Sequence, residues 1–167
     1  MDWLRLWWRQ SDHYDELSAH LQSRGVATFT RLTIAVITAG LAADALATIW
    51  TPTGPRGAVQ LACTLTAAGG AAVAASVWAL SWPTRAMAIR FAVLSNASIA
   101  LIALAQSDPL VAMLICTTFA TMASYIALFH PAPLLAYNFA IATVIGGTEA
   151  VRIAQRFGFL GALCGFS

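Results

Sequence analysis

From residue 32 onward the chain alternates long apolar runs with short segments rich in proline, glycine and arginine. The clearest run, Leu32 to Trp50, is entered from Arg31 and closed by Trp50. As a helix it covers roughly 28 Å at ~1.5 Å per residue, close to the ~30 Å hydrocarbon thickness of a bilayer. Its flanking Arg and Trp belong in the headgroup layers. Further crossings are predicted near 58–82, 86–105, 109–129 and 132–148. An apolar tail, 157–167, covers only about half of a crossing. Thr51 to Pro55, Gln106 to Pro109 and His130 to Pro133 carry the turn signals between runs, and Pro109 suits the first position of a helix. The fold class that follows is all-α: a polytopic transmembrane bundle of five to six helices, residues 32–167, preceded by an amphipathic segment, residues 1–31.

That prelude reads as a juxtamembrane helix. Trp3, Trp7 and Trp8 alternate with Arg5 and Arg9, as in a segment whose rings face lipid and whose guanidinium groups face phosphates. Trp50 and Trp82 are expected at the interface for the same reason. Ser11 or Asp12 can cap a helix, Asp15 and Glu16 suit the positive end of its dipole, and Tyr14, Leu17 and Leu21 share one face. Gly25 is the predicted stop.

Composition places the chain in the membrane class: 59% of its residues are hydrophobic and 10% charged, with a mean hydropathy of +0.74, against roughly 25% charged in soluble domains. A net charge of +2 is too small to imply a nucleic-acid partner. The second run, with Gly69-Gly70-Ala71-Ala72, is built of small residues that let backbones approach closely, which predicts an interior helix. Cys63, Cys116 and Cys164 lie in separate apolar segments without metal-ligand spacing and read as small core residues. His13 and His20, seven apart, read as part of a solvated face, and His130 as an interfacial turn residue. Neither a catalytic motif nor a metal or cofactor site is expected.

Asp44 is the one acid placed well inside a predicted crossing. A centrally placed Asp costs about 2.5 to 3.5 kcal/mol, which the surrounding apolar residues offset. Matching depths across the crossings brings Thr64, Thr66, Asn96, Ser98, Thr117, Thr118 and Thr143 to about the same level. Two readings stay open. Asp44, Asn96, Ser98 and Thr117 can line a small ligand-binding cavity, or the layer can consist of interhelical and helix-backbone hydrogen bonds. Glu149, Arg152 and Arg156 stand at helical spacing and can pair along one face at the membrane boundary. With the N-terminus inside, Arg5, Arg9, Arg24, Arg31, Arg85 and Arg90 lie in cytoplasmic segments, against Arg56, Arg152 and Arg156 outside. That asymmetry predicts a cytoplasmic N-terminus.

The stretch WWRQSDHYDELSAHLQSRGV, Trp7 to Val26, followed by Ala-rich crossings, resembles the N-terminal membrane region of bacterial diguanylate cyclases, in which a similar prelude and about six crossings precede a cytoplasmic GGDEF domain. No GGDEF sequence occurs in this chain. The resemblance therefore implies a sensory or anchoring module in a bacterial inner membrane, associated with cyclic di-GMP signalling, that performs no catalysis itself. It is either a truncated product or a stand-alone relative. Its implied partners are the lipid bilayer and a second copy or a signalling protein. A small transporter or channel is the rival reading; it would call for ionisable residues on several crossings.

Overall fold

The computed structural model describes residues 14–158, and throughout them long segments are helical. The interface residues Trp3, Arg5, Trp7, Trp8 and Arg9, the caps Ser11 and Asp12, His13, and the tail from residue 159, with Cys164, lie outside the described residues.

Helix α1 spans Tyr14–Ser23. Gly25, at φ 71°, ends it in the left-handed region that glycine adopts without strain. Its N–H bonds back to Gln22 O at 3.0 Å and that of Val26 to Leu21 O at 3.1 Å, satisfying two carbonyls at the helix end. Helix α2, Ala27–Ala47, continues in a 3-10 turn, Thr48–Trp50. It thus starts before the predicted Leu32 and carries Arg31 inside it. The helix tolerates that charge because the guanidinium donates to Trp78 O (3.4 Å) and Ala79 O, carbonyls left open where the second crossing ends.

The turn after Trp50 is too tight for any side chain at Gly54, where a Cβ would stand 1.8 Å from Thr48 O. Helix α3, Ala58–Leu80, starts under Gln60, whose Oε1 accepts the N–H groups of Arg56 (2.9 Å) and Gly57 (3.0 Å). Helix α4, Arg85–Ala105, is capped by Thr84, and α5, Pro109–Cys116, by Asp108, which accepts Leu110 N–H at 2.9 Å. At Thr117 the fourth crossing tightens. Thr117 N–H bonds to Leu114 O (3.1 Å) and Ala120 N–H to Thr117 O (3.0 Å), separating α5 from α6, Thr118–Phe129. Helix α7 spans Ala132–Phe157. It continues past the predicted end at Thr148 because Glu149 is buried against Arg152, so its charge does not break the apolar run.

Five segments, Ala27–Trp50, Ala58–Leu80, Arg85–Ala105, Pro109–Phe129 and Ala132–Phe157, are long and apolar enough to cross a membrane. Large apolar side chains such as Phe29, Val59, Leu80 and Val144 point outward. A helix apolar on its outer face is suited to lipid as its solvent, and the protein is a multi-pass helical membrane bundle.

Helix α4 is the centre, packing against α3, α5, α6 and α7, while α2 packs principally on α3. The predicted interior helix, α3, is therefore flanked by α2 and α4, and Gly69 on it faces open space. Small residues permit close approach but do not dictate which face is used. The main core joins Ala92, Ile99 and Ala103 of α4 to Phe119, Met122 and Ile126 of α6 and Ile145 of α7.

The two ends of the bundle are joined differently. At one, α1 lies against the 81–84 and 130–131 turns. Tyr14 donates its hydroxyl to Pro83 O, its ring stacks on His130 at 5.6 Å, and Trp82 donates its indole N–H to Ser18 Oγ at 3.0 Å. His130 and Trp82, expected at the interface, thus sit beneath α1, His130 buried and Trp82 half-buried. Trp50, at the other end, is 80% exposed. There the Gln106–Asp108 turn meets the 51–57 loop, with Ser107 N–H on Thr53 O at 3.1 Å.

Candidate functional site

Because α2 packs on α3 and α6 on α7, a lateral groove is left between the two pairs, across α4. Its volume is about 570 Å³. Each wall has helical spacing: Ile34, Thr38, Leu41 and Ala45 on α2, with Thr48 in the 3-10 turn that continues it; Ala67, Gly70 and Ala74 on α3; Phe91, Ser95, Ser98 and Ile102 on α4; and Thr118, Thr121, Met122 and Tyr125 on α6. Such i, i+3, i+4, i+7 sets fall on one face of a helix. The rim residues Leu94 and Leu114 are exposed, so the groove opens on the outer surface of the bundle.

Asp44 is the one charged side chain in its lining. Counting ~1.5 Å per residue from Trp50, Ala58, Gln106 and Pro109, Asp44 lies about 9 Å below that end, Thr66, Ser98 and Thr118 about 12 to 14 Å, and Ser95 and Thr121 about 16 to 18 Å. Phe91 and Tyr125 follow at about 22 to 24 Å and close the lower end edge-to-face, with ring centroids 5.3 Å apart at 85°.

Most hydroxyls of the bundle are spent on their own helices, Thr48 and Thr117 on the carbonyl three residues back. Thr33, Thr38, Thr64, Ser76, Ser124 and Thr148 each donate to the carbonyl four residues back on their own helix. Thr66, Ser95, Ser98, Thr118 and Thr121, all lining the groove, make no hydrogen bond among the described residues. A hydroxyl in an apolar surrounding ordinarily takes the backbone bond, so these five are open to a ligand.

The predicted polar layer is therefore divided. Asp44 and Ser98 line the groove together with Thr66 and Thr118. Asn96 does not: it is fully buried on the core side of α4, donating to Ala92 O at 3.0 Å. Thr117 is exposed and bonded to Leu114 O at 2.7 Å, where it forms the break between α5 and α6. Thr64 is buried on its own helix carbonyl and Thr143 is exposed outside the groove. Depth matching finds the level and misses the face. Depth matching passes over the lining residues Ser95 and Thr121, and the small-residue pattern reads Gly70 as a helix contact, although the spacing Phe91, Ser95, Ser98, Ile102 is a readable helical stripe.

A second polar assembly lies where α7 passes the Gln106–Asp108 turn. The Glu149 carboxylate, with no exposed surface, accepts both of its bonds from Arg152 Nη1 at 2.9 Å, and Arg152 Nη2 donates to Gln106 O at 2.9 Å. Arg156, expected to pair along α7, reaches Asp108 instead at 3.4 Å. Cys63 and Cys116 are free and half-buried, and no group of His, Cys, Asp or Glu among the described residues could hold a metal ion.

The chain matches no protein-family model, no curated protein and no solved structure.

Proposed function

We propose that this chain is a sensory and anchoring module of a bacterial inner membrane that takes up a small amphiphile laterally from the bilayer. The observation that carries this reading is the groove across α4, open on the outer surface, with hydroxyls not spent on their own helices. Occupation would separate α2 and α3 from α5 and α6, and α4, which touches both sides, would pass the change to α7. The wording of Trp7 to Val26 supports kinship with the membrane region of diguanylate cyclases. In that setting the change would reach a partner signalling protein at the end that holds α1, where α7 begins at Ala132, and no catalysis falls to this chain. The excess of arginines at the end that holds α1, Arg24, Arg31, Arg85 and Arg90 against Arg56, Arg152 and Arg156, supports a cytoplasmic N-terminus.

The test places spin labels at Ile37→Cys and Leu114→Cys, on opposite walls, with Cys63, Cys116 and Cys164 replaced by alanine. The protein is reconstituted into nanodiscs of phosphatidylcholine alone or of mixed phosphatidylethanolamine and phosphatidylglycerol. A shift of the inter-label distance with lipid composition is expected. An unchanged distance, accompanied by proton flux through proteoliposomes above that of empty vesicles, would replace this reading by transport, for which the acids Asp44 and Glu149 on two crossings are the relevant feature.

A further inference from the structure

The geometry points to a cationic amphiphile as the occupant of the groove: a primary ammonium head at Asp44, hydrogen-bonding groups beside Thr66, Ser98 and Thr118, and an alkyl tail directed at Phe91 and Tyr125. This inference rests on the groove being a ligand site. Polarity along its length gives the orientation. The charged residue stands about 9 Å below the end of the bundle, and the open hydroxyls follow in the next turns. The aromatic pair closes the far end.

Sign gives the head. No arginine lines the groove, so an anionic head would meet only the carboxylate of Asp44, which is exposed, whereas an ammonium group finds an opposite charge there. A neutral head would leave that carboxylate beside hydrocarbon without a partner, which is costly. The wall leaves room as well: at Gly70 a Cβ would meet nothing closer than Ser98 Oγ at 4.0 Å. A larger side chain there would project into the space assigned to the ligand.

The experiment compares hexadecylamine with hexadecanol, equal in tail length, by native mass spectrometry of the purified protein released from phosphatidylcholine nanodiscs. Wild-type protein is expected to retain the amine about tenfold better than the alcohol, the ratio of a single charge-assisted contact. Asp44→Asn should bring that ratio to about one while leaving alcohol retention unchanged. Gly70→Leu should abolish retention of both, and Gly70→Ala, the milder replacement, should weaken both alike. If neither Gly70 variant alters retention, the groove is not the site, and the proposed function falls with this inference. If the Gly70 variants block retention but Asp44→Asn keeps the amine preference, the cationic head is refuted and the groove stands.

Discussion

The two ends of the bundle solve the same problem, holding helices together where the bilayer gives way to water, with opposite chemistry. Beneath α1, Trp78 meets Trp82, Phe91 and Tyr125 edge-on at 5.8, 5.8 and 6.0 Å, and Tyr14 stacks on His130. At the other end, Glu149, Arg152, Gln106, Asp108 and Arg156 join α7 to the α4–α5 turn through ions and a carbonyl. Rings hold by contact and shape, which salt does not screen. A charge taken out of water, as the Glu149 carboxylate is, depends on its partner. The aromatic end should therefore fail in proportion to the volume removed, and the ionic end according to which partner is removed.

The largest effect is expected at Trp78, which is 1% exposed. Trp78→Ala should lower the unfolding free energy by about 2 to 4 kcal/mol, below the upper range for water-soluble cores because the transfer term weakens when lipid is the alternative solvent. Unfolding in mixed detergent and dodecyl sulfate measures it. A loss under about 1 kcal/mol would mean that α1 and its neighbours are held by something other than packing around this ring.

The residues differ in how far the sequence exposed these roles. The crossings were legible from apolar run length, because lipid requires every such run to satisfy its own backbone. Gly25 and Pro109 were legible because their conformational limits are local. The cluster around Trp78 was not, since rings on α1, α3, α4 and α6 meet only through tertiary packing that no single period encodes. The pairing of Glu149 with Arg152 was legible from their spacing, but the burial of its carboxylate was not, for a related reason. An acid at the end of an apolar run marks a membrane boundary unless a cation one turn later neutralises it, and whether Arg152 turns inward depends on Gln106 lying opposite. Within the groove, Asp44 and Ser98 were legible by depth, and Asn96 was assigned to the wrong face of α4 because depth carries no rotation angle.

The ionic end predicts an asymmetry that the aromatic end cannot show. Arg152→Met leaves Glu149 buried without a partner and should cost about 2 to 3 kcal/mol in the same unfolding measurement, somewhat under the fully buried case because Arg152 retains 31% of its side-chain exposure. The double variant, Glu149→Met with Arg152→Met, should recover most of that loss, since no unpaired charge remains. Equal losses in the single and double variants would show that the pair holds α7 by net attraction.

The smallest effect belongs to Arg156 and Asp108, whose side chains are 52% and 22% exposed at 3.4 Å. Water competes for both, so Arg156→Gln should cost about 0 to 1 kcal/mol at low salt. Raising the salt to about 1 M, where the screening length falls to ~3 Å, should erase the difference between variant and wild type. The Glu149 and Arg152 step should survive the same salt, because ions cannot enter a site in which the carboxylate has no exposed surface. Hydrogen exchange along the last turn of α7 reads the distinction: Arg156→Gln should speed exchange near Phe157 without touching Ile153, which is fully buried. If salt instead loosened Ile153 as readily as Phe157, the buried and surface pairs would be one network, and the end of α7 would release as a unit.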